Sequence, residues 1–351
     1  MNIQPFLKLM VEKSASDLFF TTNSPVRIKI EGKIVPVGKT ILTSELTRAA
    51  AYGIMTEEQR AEFDKELEID FAIAEEGLGR FRVNAFRQRG DVGMVLRYIT
   101  AEVPNIHDLV VPEILQELIL ARRGLLLMVG ATGSGKSTTL AAMINHRNEN
   151  LAGHILTIED PIEFVHPNKQ AIVNQREVGA DTKTYDRALK SSLREAPDVI
   201  LIGEIRDRET MEAALELAGT GHLAISTLHA NNAHQTMDRI INMFPEEMHK
   251  QLFMDLSLNL RAIISQRLVP TKDGKRCAAV EVMINTPHVA ELILQGRIDE
   301  IRESMESSPE KGVQTFDMAL HQLYKDGRID MEEALKNADS RANLEAKINF
   351  G

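Results

Sequence analysis

Apolar residues at the start of the chain return at helical spacing: Ile3, Phe6, Leu7, Met10 and Val11 share one side of a helix. The period then shortens. DLFF, PVRIKI and IVPV read as strands, with Glu31-Gly32 turning the second into the third as a hairpin. A helical stretch is expected from about Ser44 to Lys65, and IDFAIAE, GRFRVNAFRQ and GMVLRYI read as three further strands. A helix with antiparallel strands predicts a small α+β domain over residues 1–101. The segment AEVPNIHDLVVP has two prolines, a mixed composition and no period, so residues 102–112 read as a linker.

Beyond the linker the pattern changes. LLLMVG, HILTIED, DVILIGE and HLAISTLH are almost wholly apolar and alternate with helical segments, as parallel strands covered on both faces do. A three-layer α/β domain is expected, with its core over residues 113–286. From Pro287 to the end the chain reads as helices, the last opened by Asp330 and Glu333 at capping-box spacing.

Composition narrows the function. The 351 residues suffice for two domains, and with no Trp and few aromatics the cores must be aliphatic. A net charge of −10 makes general nucleic-acid binding a poor fit, since that affinity rests on Lys and Arg neutralising phosphates. The single cysteine, Cys277, excludes an intrachain disulfide and a Cys-rich zinc site, and reads as a buried small residue with a reactive role as the alternative. The first residues lack the pattern of a secretory signal, and no run of about 18 apolar residues occurs, so a cytoplasmic protein reaching membranes only through partners is expected.

The chemistry is concentrated after the apolar runs. LLLMV leads into Gly130, Ala131, Thr132, Gly133, Ser134, Gly135, Lys136, Ser137 and Thr138, which satisfy G-x-x-x-x-G-K-[ST] at every fixed position. Backbone N–H groups of such a loop wrap phosphates, the lysine reaches the β/γ oxygens and the Ser137 hydroxyl takes Mg²⁺, so ATP and Mg²⁺ are the expected cofactors. DVILIGE ends on Glu204, which either orients the attacking water and takes its proton or merely caps the next helix. TIEDPIEF sets Glu159, Asp160 and Glu163 at a strand end, as a metal-facing cluster or a solvated acidic turn. Glu163 is assigned to the metal or its bound water. His229, after a strand and before Asn-Asn, is placed to sense the γ-phosphate or to switch with nucleotide state, the alternative being the structural role commoner for a single histidine, while His222 reads as structural support. Arg80 and Arg82 share one face of a strand and Arg97 lies on the next; they are ordinary surface arginines or fingers completing a neighbouring subunit's site.

Together GATGSGKST, TIEDPIEFVH, LREAPDVILIGEIRD and GHLAISTLHANNA resemble the secretion ATPases of the type II/type IV pilus class, specifically the PilT/PilU retraction motors. GRFRVNAF and MDRIINMFP fit as well, and the resemblance spans essentially the whole chain. It implies a PAS-like N-terminal domain, a RecA-like ATPase domain with nucleotide between the two, and a helical region over 287–351. It also implies a homo-hexameric ring at the inner membrane, an inner-membrane platform protein and a paralogous retraction ATPase as partners, and pilus retraction as the work done. Assembly ATPases of the class carry a tetracysteine metal site that one cysteine cannot build. PilT-type motors carry Ala-Ile-Arg-Asn-Leu-Ile-Arg-Glu after Thr-Pro; here Thr286-Pro287 is followed by HVAELILQGRIDE, which favours the PilU branch. The rival readings are an assembly or type II secretion ATPase, a RecA-like DNA-processing ATPase, and a non-hydrolysing ring.

Overall fold

The computed structural model describes residues 1–30, 32–99 and 103–350. Glu31 of the expected hairpin and the expected boundary at residues 100–102 lie outside the described residues. The chain forms two units, one of residues 1–102 with 162–165 and one of residues 103–161 with 166–351.

The first unit is a six-stranded antiparallel sheet built from β1 (Asp17–Phe20), β2 (Val26–Ile30), β3 (Lys33–Val37), β4 (Glu68–Glu75), β5 (Gly79–Gln88) and β6 (Asp91–Ile99), in the order β3-β2-β1-β6-β5-β4. Alternation along the strands sends Leu18, Phe20, Ile28, Phe81, Val83, Ala85 and Leu96 into a core that Leu7 and Met10 of the first helix complete. The single helix expected from Ser44 to Lys65 is two, Ser44–Tyr52 and Glu57–Glu66. Gly53 ends the first, and Thr56 with Gln59 forms a reciprocal capping box that starts the second.

The second unit holds a seven-stranded sheet where the apolar runs predicted four strands. Its members are β7 (Gly124–Val129), β8 (Gly153–Glu159), β9 (Ala171–Glu177), β10 (Val199–Glu204), β11 (Leu223–Leu228), β12 (Leu260–Pro270) and β13 (Arg276–Ile284). The order is β13-β12-β7-β11-β10-β8-β9, parallel throughout except for the β12–β13 pair. Period two splits the strands' side chains between two cores: Leu125, Leu127 and Val129 face one layer of helices, Leu126 and Met128 the other. This is the expected α/β class, with a three-layer domain and an α+β one. Ile106, inside the expected linker, is buried in the second of these cores.

The chain after Pro287 is helical. Val289, Leu292, Ile293, Ile301 and Met305 pack on the sheet's first core, while Glu291, Gln295, Asp299, Glu300 and Glu303 are exposed. The remaining helices bury Phe316, Leu320 and Leu344 with Cys277, which is a buried residue as expected. Asp330 caps the helix Met331–Asn337, accepting from Glu333 N at 2.8 Å, but the capping box is half made: Glu333's carboxylate bonds Lys336 and Asn337 at 3.2 Å. Arg267 of β12 ties the tail to the sheet, meeting Asp339 at 2.7 Å and Asn337 O at 2.8 Å over the Phe316 ring.

Candidate active site

Parallel strands bring their carboxyl ends to one edge, and in open α/β sheets that edge is where ligands bind. In this sheet β7, β11, β10 and β8 are consecutive neighbours. They lead in turn into the phosphate loop, His229, Glu204 and the acidic turn at Glu159. Val129 lies opposite Leu228, and Glu204 opposite Thr227, so the four ends are close to level.

The loop's glycines are set by steric need. Gly130, Gly133 and Gly135 have φ of 149°, 78° and 85°, a region L side chains rarely enter. A Cβ at Gly130 would stand 2.4 Å from the Gln266 carbonyl and 2.6 Å from Ser134 Oγ, and one at Gly135 2.7 Å from Gln266 Nε2. The helix Lys136–Asn150 starts from Gly135 without a side-chain cap. Its first N–H groups therefore face the loop's mouth, which suits an anion. Lys136 Nζ donates to Gly130 O at 2.7 Å and Ala131 O at 3.0 Å. Ser134 Oγ is buried with no hydrogen-bond partner among the described residues. An uncapped helix start, a loop shaped by glycines and an orphaned hydroxyl fit a polyphosphate.

Glu204 and His229 meet. His229 Nε2 lies 3.2 Å from Glu204 Oε1, and Arg206 Nε donates to Glu204 Oε2 at 2.8 Å. The Glu204 side chain is only 16% exposed, His229's 45%. A register shift between Ile202 and Glu204 marks a β-bulge at Gly203, and bulges re-aim the side chain that follows. No methyl fits there, since a Cβ would lie 2.6 Å from the Tyr185 hydroxyl. Burial, and next the charge of Asp160, hold the Tyr185 hydroxyl's pKa well above the usual tyrosine value. Tyr185 is therefore a neutral hydroxyl at physiological pH.

Of the other predicted residues, Glu159 shares this edge. Glu159 accepts from Thr157 Oγ1 at 2.6 Å and Gln175 Nε2 at 3.2 Å. Glu163 is exposed in segment 162–165, which belongs to the first unit although Asp160 belongs to the second. Arg82 and Arg97 are direct cross-strand partners in the first unit's sheet. Arg97 pairs with the buried Asp17 at 2.8 Å and Arg82 with Asp70 at 3.6 Å. His222 is held at its Nδ1 by Leu217 O at 3.1 Å, in keeping with support of the strand.

Sequence reasoning missed Arg206, Tyr185, Gln266 and Glu281. Glu281 is buried under the histidine loop, where its carboxylate accepts from Ala233 N at 2.8 Å and Ser265 Oγ at 3.1 Å. Burial raises its pKa. The available signal was the polar run Ser265-Gln266-Arg267 directly after the apolar run Ala262-Ile263-Ile264.

A family model described as type II/IV secretion system protein matches residues 1–347. The chain belongs to that family. Over its full length it is 54% identical to the type IV pilus ATPase PilU of Pseudomonas aeruginosa, of which it covers 92%. The same organism's type IV pilus retraction ATPase PilT is 42% identical over 98% of this chain and all of its own. A crystal structure of the pilus retraction motor PilT with bound ADP superposes with a TM-score of 0.92 at 40% identity, covering 98% of this chain and 99% of that one. The protein is thus a nucleotide-binding ATPase of the PilT/PilU group, and the higher identity to PilU agrees with the branch read from the segment after Thr286-Pro287.

Proposed function

We propose that this ATPase powers or assists retraction of type IV pili in twitching motility, as a homo-hexameric ring on the cytoplasmic face of the inner membrane. The observation that carries the reading is the Glu204–His229 pair at the sheet edge that also bears the phosphate loop, in a chain alike to PilU throughout its length. Lys136 and the loop's N–H groups hold the triphosphate, and Ser137 takes Mg²⁺. A Mg²⁺ that keeps several waters and takes phosphate oxygens needs few protein ligands. Glu204 orients and deprotonates the attacking water, His229 reports the γ-phosphate through Glu204, and Glu163 assists the metal or its water. No helix among the described residues is long and apolar enough to cross a membrane. The partners proposed for the ring are an inner-membrane platform protein and a paralogous retraction ATPase.

Arg82 and Arg97 lie outside the nucleotide unit, and we assign them to the site of an adjoining subunit. An arginine finger supplies roughly 10³–10⁵-fold in turnover, so losing one of two that share it equally is expected to cost about 30- to 300-fold. Arg82→Ala should fold and bind ATP as the parent does, yet hydrolyse slowly. Measuring specific activity against protein concentration adds a check: activity should climb as rings form, and a fully active monomer contradicts the assignment.

The pilus reading is tested in cells. The segment after Thr286 presents Glu291, Asp299, Glu300 and Glu303 outward, with Arg297 and Arg302 interspersed, where PilT-type motors carry a more basic one. If that place couples to the pilus machinery, this chain adds force to a paralogous motor and does not start retraction alone. Cells lacking the paralogue but rich in this protein should retract few pili. Normal retraction there refutes the accessory role and keeps the motor; unchanged retraction in cells lacking this protein refutes the motor.

A further inference from the structure

One buried amide bonds both the phosphate loop and the helix that follows it. Gln266 of β12 is 2% exposed, and β12 runs parallel beside β7 with Ser265 opposite Val129, so Gln266 falls level with the loop's first glycine. Its Nε2 donates to Ser134 O at 2.8 Å, and its Oε1 accepts from Thr139 Oγ1, on the first turn of the loop's helix, at 2.8 Å. Its backbone carbonyl and its Nε2 are the atoms that leave no room for a Cβ at Gly130 and Gly135. A carboxamide offers a donor and an acceptor side by side on one planar group: a carboxylate cannot donate, a lysine or arginine cannot accept, and an apolar side chain does neither.

We infer that Gln266 is a positioning residue for the phosphate loop. In a trans peptide the C=O and the next N–H point opposite ways. Fixing the Ser134 carbonyl on Gln266 therefore aims the Gly135 N–H away from β12, toward the phosphate side of the loop. The bond to Thr139 locks the same amide to the helix, so loop and helix start are held in one relation before nucleotide arrives. Such preorganisation lowers the cost of binding. Glu204 and His229 stand on other strands, so chemistry after binding does not depend on the bridge.

The inference rests on the loop being the nucleotide site, and the experiment separates the two. Binding of a fluorescent ATP analogue and steady-state hydrolysis are measured on the full chain for the parent, Gln266→Met, Thr139→Val and the double variant. Stranding a buried polar partner costs about 5- to 100-fold in equilibrium terms. Gln266→Met should raise Kd and KM together by such a factor, with kcat nearly unchanged. A residue that served folding alone would lower the unfolding temperature and the active fraction, hence apparent kcat, while KM stayed put. Thr139→Val should raise KM less, and the double variant should match Gln266→Met, because both changes remove one bridge. Parental KM and Kd in Gln266→Met, or additive effects in the double variant, overturn the bridge. Should Gln266→Met fail to fold, the KM of Thr139→Val decides alone, and an unaltered value counts against it. A parent chain that binds no ATP refutes the nucleotide site itself.

Discussion

Glu204→Gln is expected to leave ATP affinity near that of the parent and to slow hydrolysis by about 10²–10⁴-fold, the usual share of a positioned general base. The substitution preserves size and planarity, so the packing of β10 is undisturbed. It removes the charge that Arg206 meets at 2.8 Å and the lone pair that accepts a proton from water. Glu204 is well suited to that task, being largely withdrawn from solvent yet fixed on two sides by His229 and Arg206. Single-turnover hydrolysis after loading with nucleotide isolates the chemical step from binding. A normal rate in Glu204→Gln would falsify the assignment and move the role to Glu163.

Lys136→Ala is expected to lose nucleotide binding, with affinity for ATP reduced about 10²-fold, the order of one or two charge-assisted hydrogen bonds. Lys136 Nζ is held at the loop by the Gly130 and Ala131 carbonyls. Phosphate oxygens arriving there meet a cation already in position, and no other residue of the loop carries positive charge. Calorimetric titration gives the affinity, and circular dichroism verifies that the helix Lys136–Asn150 persists. A folded Lys136→Ala chain that binds ATP as tightly as the parent would place the phosphates outside this loop.

How much of this was legible in the chain depends on the range over which the signal acts. Runs such as LLLMV and VILIG announce strands covered on both faces, and residues just past a strand end, Lys136, Glu204 and His229, inherit their place from the strand. β9 escaped because AIVNQRE is an edge strand that alternates buried and exposed positions. β12 escaped because Ser265, Gln266 and Arg267 interrupt it, each for a tertiary reason: Glu281, the phosphate loop and the tail. Nothing local announces a bond between Gln266 and Ser134, 132 residues apart. Glu163 shows the converse. It follows Asp160 by three positions, yet segment 162–165 groups with the other unit, so its packing could not be read from the strand that precedes it.

The bulge at Gly203 has a consequence for how this gene can drift. Across β10 and β11 the ladder advances from Ile202 opposite Ser226 to Glu204 opposite Thr227, two residues against one. Side chains along the rest of the strand can be exchanged among Val, Ile and Leu at modest cost, because volume and pattern are retained. Length cannot be exchanged in the same way. Removing one residue between Val199 and Gly203 would rotate the following side chains to the opposite face and withdraw Glu204 from His229. Adding one would give a second bulge or carry the carboxylate past the edge. Substitutions from Val199 to Ile202 can therefore accumulate while insertions and deletions are eliminated, and lineages that keep the motor should keep Gly203 and the count from Val199 to Glu204 even where the apolar letters before the glycine change.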